Sequence, residues 1–517
     1  MKKIIYAVGI IALTIVIVLN IVFTAQLDYS EHITINNNSF IYVIGIVLLG
    51  IGIFYATKFT DELLNTGKAK LKEKTKKITL GAVIAIYAIL NIIWTIKIIP
   101  PIVGDQIHAC NLAQTFYNNN LEEFLPNITY AGIPLSQYMQ SYHQQISLSF
   151  VFSMFFRLIH FDGIQSLKAL NVIGNVAIIF SLYKIGQQLS KKYKTNKTRL
   201  LFFILTFISI PMLSTFIYGD IPSLALCLFS VYFMMKYTET RAIKYPVLAS
   251  IFTMIAYMMR MNCLIFIIAT SIYLLLNTFN NIKNKKWKEL GISILITIMY
   301  IAVSIVPTIL VQNYYLNKYN MDKDKEYPTI SYFLMAMEES WRGNGWYSEK
   351  RGEYALNNIE NAKTEYVDEI KNRVSYFAEN KWYTFKFYTM KLASMWTENT
   401  YSAVRTNMVD ENDNIKEFSN PLTFYQKSLL LVTCVCSLIF LIQNRKNLSN
   451  DAIYLITIFI GGFAFHILWE AKSRYIIPYI VSLIPIASMA IKTNEFNIEN
   501  IKTKVSKLKG KILKTNE

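Results

Sequence analysis

The chain has 517 residues, 53% of them hydrophobic and 14% aromatic, and 52 Lys and Arg against 34 Asp and Glu leave a net charge of +18. Its apolar residues are gathered in blocks of about 20, the length a helix needs to cross a bilayer with every backbone group bonded inside its own segment, which excludes an ordinary soluble domain. The basic excess sits in short loops between those blocks, so it reads as a positive-inside signature rather than a nucleic-acid footprint, and no nucleic acid is expected as partner.

In chain order, spans are expected at 3–24, 40–57, 78–99, 167–186, 200–218, 222–237, 246–261, 264–279, 289–311, 422–443, 451–469 and 475–491. The first follows Lys2 and Lys3 without a small-residue cleavage site and reads as a retained signal anchor. Segment 58–77 carries seven lysines, 187–199 carries Lys191, Lys192, Lys194, Lys197 and Arg199, 280–288 carries Lys283, Lys285, Lys286 and Lys288, and the tail is again lysine-rich. Segments 25–39 (Asp28, Glu31) and 100–145 (Asp105, Glu122, Glu123) carry no Lys or Arg. All basic loops fall on one side if both termini are cytoplasmic.

The apolar stretch 146–159 is too short for a span and contains Arg157, so it is expected as an interfacial or re-entrant helix inside a structured first external loop, 100–166. Segment 312–421, with Trp341-Arg342-Gly343-Asn344-Gly345-Trp346 and a helix expected near 355–380, is too long for a structureless connection and is expected as a small external cap. The expected division is therefore two N-terminal spans and a basic loop (1–77), a membrane core (78–311), the cap (312–421), C-terminal spans (422–491) and a basic tail (492–517). Among the five cysteines, Cys434 and Cys436 lie inside an apolar run and only Cys110 lies in an external segment, so no disulfide framework is implied.

Several polar residues converge on the outer boundary in this topology. Asp105 follows Pro100 and Pro101 just beyond the third span, where the helix cannot continue. Asp220, in Tyr218-Gly219-Asp220-Ile221-Pro222, is expected in a short external turn; turn chemistry alone is the plainer alternative. Arg260, flanked by methionines at the end of a span, faces either an anionic partner or the headgroups. In Trp469-Glu470-Ala471-Lys472-Ser473-Arg474-Tyr475, Glu470 and Arg474 are expected to pair on a continuing helix, while Lys472 and Arg474 run against the positive-inside bias and suit phosphate binding. His143 and Gln145 could hydrogen-bond a sugar or a phosphate. A lipid-borne sugar phosphate would then meet Arg260, Lys472 and Arg474, with Asp105 accepting the proton of an incoming hydroxyl.

This pattern resembles the GT-C superfamily of multi-spanning glycosyltransferases, including its protein O-mannosyltransferase and aminoarabinose-transferase branch. In that family an Asp, often Asp-Glu, opens the first external loop, as Gly104-Asp105-Gln106 does here. The resemblance extends to Asp220 in the next external turn, to Arg260 and Asn262, and to Glu470, Arg474, Tyr475 and Pro478. It implies an all-α polytopic fold of about 12 transmembrane helices and an inverting transfer with Asp105 as base. Gln106 stands where the family commonly has Glu, which leaves no certain cofactor and a divalent cation as an open alternative. Two spans precede the family's usual first helix.

The expected function is a membrane glycosyltransferase of the bacterial plasma membrane, moving a sugar from a polyprenyl-phosphate donor to a cell-envelope glycopolymer or lipid-linked glycan on the external face. The rivals are a transporter or flippase, and a polymerase or ligase, of lipid-linked saccharides. A transporter would carry its polar residues at mid-membrane and show two matching halves, neither of which the sequence displays.

Overall fold

Asparagines inside the membrane core mark where the chain departs from straight spans. The computed structural model describes residues 1–65, 73–120, 129–130, 133–193, 197–283, 287–410 and 419–490; Glu122, Glu123, Lys68, Lys70, Lys72, Lys194, Lys285, Lys286 and the basic tail lie outside them. Among the described residues, ten helices are long and apolar enough to cross a membrane, from Lys2–Val22 to Asn450–Leu468, and Lys244–Met259 and Ser473–Ser488 are shorter apolar helices. These elements fall on the expected segments. Large side chains such as Ile96, Leu295 and Leu310 are 63%, 66% and 62% exposed along the helices, the surface a bilayer rather than water would cover.

The segment expected at 200–218 is not one helix. Lys197–Leu205 ends, and the chain continues through short helices Ser209–Met212 and Leu213–Thr215 around Pro211. Proline removes one backbone donor, and the freed carbonyls need partners inside the membrane. Asparagines supply them. Asn91 donates to the Pro211 carbonyl at 2.9 Å, Asn171 to the carbonyls of Ser214 and Phe216 at 3.1 and 2.9 Å, and Asn175 to Asn91 at 2.8 Å. Helix Asp220–Thr240 then packs against Ile164–Leu189 and Lys244–Met259. The first helix packs against Ser419–Gln443 and Asn450–Leu468 and the second, Phe40–Asn65, against Ser419–Gln443, so the N-terminal pair closes onto helices from late in the chain.

Beyond the third span, Gly104 adopts φ +59°, a conformation that glycine enters without steric cost, and the chain turns into helix Asp105–Asn118. That helix packs on His143–Ile159, which packs on Lys244–Met259 and Trp287–Lys318. The short apolar stretch is thus a 17-residue helix, buried on most of its length. Residues 319–410 form helices Ile330–Met335, Glu349–Asn357, Ile359–Glu379, Lys381–Trp396 and Ala403–Met408. They are stitched to the rest by buried polar groups. Lys391 donates to the carbonyls of Ala336, Ile467 and Trp469, each at 2.9 Å, and the Ala471 N–H donates to the Gly345 carbonyl at 2.7 Å. Burial lowers the Lys391 ammonium to about 7, against the opposing pull of Glu470. An antiparallel hairpin, Phe23–Leu27 with Ile33–Asn37, joins the first two helices and meets the same segment through Ile33 N–H to the Arg342 carbonyl at 2.9 Å.

Where helices Asn450–Leu468 and Ile477–Ser488 pack together, a methyl group added at Gly462 would collide with the Tyr479 ring. Gly462→Val should therefore cost about 1–3 kcal/mol by overpacking, read as a lower thermal midpoint of the detergent-purified protein. An unchanged midpoint would contradict this packing.

Candidate active site

Asp105 is the first residue of its helix, so the helix dipole favours its charge. Its carboxylate is exposed, yet each oxygen is held: the Tyr138 hydroxyl donates to Oδ1 at 2.9 Å and the Tyr218 hydroxyl to Oδ2 at 3.0 Å. Burial, then Asp105 itself, pushes both phenols well above their usual range, so they remain protonated donors. The Gln145 amide donates in turn to the Tyr218 oxygen. Gln145 therefore acts on Asp105 through Tyr218, one step away from the ligand role expected of it. Gln106 points the other way: its Oε1 accepts the Ile217 N–H at 2.9 Å and fixes the segment that carries Tyr218.

Asp220 does not sit in a turn as expected. Gly219, at φ +80°, makes the turn, and Asp220 is the first residue of helix Asp220–Thr240. Its carboxylate lies between two guanidiniums, 3.3 Å from Arg260 Nε and 3.6 Å from Arg474 Nε. All three side chains are nearly buried, and neither Nε makes a hydrogen bond among the described residues. Arg260 ends helix Lys244–Met259 in extended conformation, as expected of the close of a span. Its guanidinium lies 4.5 Å from the centre of the Tyr218 ring, and that of Arg474 lies 4.2 Å from Phe216 and 5.8 Å from Tyr218.

The expected pair of Glu470 with Arg474 does not form. Helix Asn450–Leu468 stops before Glu470, and residues 469–472 run extended into a short turn, Ser473–Ile476, so the four-residue spacing no longer places the two on one face. Arg474 goes to Asp220 instead. Glu470 is 4% exposed, and burial pushes its carboxyl up, against Lys472 and with Glu31 and Asp105 adding to the rise. Lys472 lies 3.6 Å from Glu31. His143 opens its helix with Nδ1 3.5 Å from Glu326; burial lowers it, while Glu326 and a backbone hydrogen bond of Gln140 oppose that.

The turn at Ser473 has its own support in Glu398, which accepts the Ser402 N–H at 2.7 Å and the Thr400 N–H at 3.2 Å, while the Ser402 and Ser473 hydroxyls meet at 3.1 Å. Tyr138, Tyr218, Glu31, Lys391 and Glu398 were not singled out from the sequence as site residues. Only Glu31 carried a signal, as one of two acids in a loop free of positive charge. Five rings continue away from Asp105: Tyr138, Tyr142, Tyr327, Tyr332 and Trp469 follow at centroid spacings of 5.0, 5.6, 5.3 and 5.1 Å. A small cleft has Asp220, Asn262 and Arg474 at one end and continues past Leu224, Cys227 and Phe266, which lie one or two turns further along the same helices.

These residues do not fit a divalent cation. Both Asp105 oxygens hold phenols, Gln106 is turned to the backbone, and no group of three or more His, Cys, Asp or Glu converges among the described residues. The five cysteines are free and buried.

Residues 144–306 match the family model described as dolichyl-phosphate-mannose-protein mannosyltransferase. No curated protein matches the chain. Among solved structures, the oligosaccharyltransferase of Archaeoglobus fulgidus, tethered to an acceptor peptide containing the NVT sequon, is similar at 14% identity and a TM-score of 0.41, over 81% of this chain and 50% of that one. The chain thus spans half the length of that enzyme. ArnT from Cupriavidus metallidurans is similar at 11% identity in its apo state, with a TM-score of 0.30 over 80% of this chain and 78% of that one. The same protein bound to undecaprenyl phosphate is similar at 10%, with a TM-score of 0.30 over 81% and 78%. The family match takes in Gln145, Tyr218, Asp220 and Arg260 and leaves Asp105 and Arg474 outside it. Over that stretch the chain is similar to a family of membrane glycosyltransferases, in agreement with the GT-C resemblance carried by its residues.

Proposed function

We propose that this protein is a glycosyltransferase of the bacterial plasma membrane that takes its sugar from a polyprenyl phosphate and transfers it, on the external face, to a cell-envelope glycopolymer or a lipid-linked glycan. The observation that carries the reading is the double engagement of Tyr218. Its hydroxyl holds Asp105 while its ring lies under Arg260. Tyr218 thereby touches both the carboxylate proposed as base and the cationic cluster proposed for the leaving phosphate, and brings the two into one site.

The steps follow from the groups present. Arg260 and Arg474, whose Nε atoms face Asp220, offer their remaining guanidinium donors to the donor phosphate. An acceptor hydroxyl attacks the anomeric carbon as the carbon–oxygen bond to phosphate breaks. Its proton passes to Asp105, and the electron pair of the broken bond stays on the phosphate, where the guanidiniums stabilise it. Attack from the side opposite the phosphate inverts the anomeric centre. A transporter would need polar groups along a path through the bilayer, whereas Asn91, Asn171 and Asn175, three of the buried polar residues of the membrane helices, are spent on backbone carbonyls and on one another.

Asp105→Asn should lower transfer by about 10²–10⁴-fold, the usual contribution of a general base, with expression and donor binding retained. A variant that decorated the envelope at the wild-type rate would exclude Asp105 as base, and would leave a polymerase or ligase of lipid-linked saccharides as the better reading. Arg474→Gln should instead weaken binding of the lipid donor by about ten-fold or more, the cost of about 1.5–3 kcal/mol for a lost charged hydrogen bond. Donor titration of the purified variant in detergent checks this, and unchanged affinity would remove Arg474 from the phosphate site.

A further inference from the structure

The segment of residues 319–410 carries a cleft that the Asp105 and Arg260 site leaves unused, outside residues 144–306 that match the family. It is open to solvent, encloses about 290 Å³ and is lined by Glu338, Glu339, Ser348, Lys350, Arg351 and Arg373. Clefts for small apolar ligands are walled mostly by hydrophobic and aromatic side chains. None of these six residues is apolar, so a lipid tail or an aromatic ligand would find little to bury against.

The walls are fixed before any ligand arrives. Arg351 holds Glu338 through two bonds, Nε to Oε2 at 2.9 Å and Nη2 to Oε1 at 2.6 Å, and reaches Glu369 through Nη1 at 3.1 Å. Arg373 donates through Nε to the Met337 carbonyl at 2.6 Å, and through Nη2 to Glu339 at 2.7 Å and to the Tyr383 hydroxyl at 2.6 Å. Groups already held lose little freedom on binding. Their charges cancel: Glu338, Glu339 and Glu369 stand against Lys350, Arg351 and Arg373. An anion would therefore meet carboxylates and a cation would meet guanidiniums, so a ligand of either sign is opposed. Hydrogen-bonding capacity remains. Ser348 precedes helix Glu349–Asn357 without using its hydroxyl as a cap, and Lys350 makes no bond among the described residues, with its ammonium exposed and carrying three donors. Each paired carboxylate oxygen keeps a further lone pair.

We propose that this cleft binds a neutral saccharide: sugar units of the acceptor glycan away from the one that reacts. Sugar hydroxyls both donate and accept, so one uncharged ligand satisfies the carboxylate lone pairs, the Ser348 hydroxyl and the Lys350 ammonium together. This assignment rests on the glycosyltransferase reading and gives its acceptor a second hold. The place suits that role. Tyr347, next to Ser348, is near enough to Asp105 for that carboxylate to add to the effects of burial, Glu470 and Glu349 in pushing its phenol up to about 12. Glu339 bridges to Asn344 across the Trp341–Trp346 turn, and Gly345 in that turn accepts the Ala471 N–H at 2.7 Å. One turn is thus shared by the cleft and by the stretch that leads to Lys472 and Arg474.

The test uses the full-length protein in a detergent without a sugar headgroup, with calorimetry as readout. The probe is the pool of oligosaccharides released from the cell envelope of the source organism, split into a neutral fraction freed of phosphate and a phosphate-bearing one. The neutral fraction should bind the wild type and Asp105→Asn alike. Ser348→Trp, which fills the cleft, should weaken that binding by about ten-fold or more, with the thermal midpoint and donor affinity at their wild-type values. If Ser348→Trp lowers the midpoint, Lys350→Met decides: it alters only an exposed side chain, and it should cost about ten-fold, the loss of one charged hydrogen bond. No binding of the neutral fraction to the wild type, binding of the phosphate-bearing fraction alone, loss of binding in Asp105→Asn, or full-strength binding in whichever of the two cleft variants is well folded would overturn the proposal. A wild type that transfers sugar but binds no neutral oligosaccharide loses only the cleft, and one that binds but does not transfer loses only the functional reading.

Discussion

One phenol touches both the Asp105 carboxylate and the guanidinium of Arg260. Tyr218 donates its proton to Asp105 and offers its ring to Arg260, while Gln145 and Gln106 fix it from two further elements. The carboxylate of Asp105 is held by two phenols, while the guanidiniums of Arg260 and Arg474 pair with Asp220 instead. Much of the surrounding architecture serves to keep Tyr218 there: the break after Leu205, the asparagines that satisfy the broken backbone, and Gly219 turning the chain into the next helix.

Charge at a membrane boundary is costly unless it is paired, and the site spreads that pairing over distant parts of the chain. Asp220 ties Arg260 to Arg474. Glu31 ties Arg342, Arg405 and Lys472; burial alone would raise its carboxyl, but these cations and Arg474 pull it down to about 2. The hairpin between the first two helices thus brings an acid that gathers cations from distant parts of the chain. Lys391 gives the same segment a hold on the end of helix Asn450–Leu468, so the residues from Glu470 to Arg474 are fixed from both sides.

The legible part of the site consisted of residues whose chemistry conflicts with their surroundings. Arg260 among methionines, Lys472 and Arg474 outside the positive-inside pattern, and Asp105 at the end of an apolar run all stand out because charge at those places has a cost that something must offset. Tyr138, Tyr218 and Glu398 do not stand out. Tyrosines are common in this chain, and a tyrosine that holds a carboxylate looks, as a letter, like one that packs a core. The Glu470–Arg474 pair misled for a related reason: four-residue spacing implies contact only while the helix continues, and here it ends two residues earlier.

By itself the sequence determined the membrane-spanning helical architecture, where the helices lie, and which exposed acid and which cations are anomalous. Those follow from hydrophobic length and from the local cost of charge, properties of contiguous residues. Tertiary structure alone decided who pairs with whom: Arg474 with Asp220, three cations with Glu31, and Asp105 with two phenols. Each of these joins residues far apart in the chain, and only the packing of helices in three dimensions sets the distance between them.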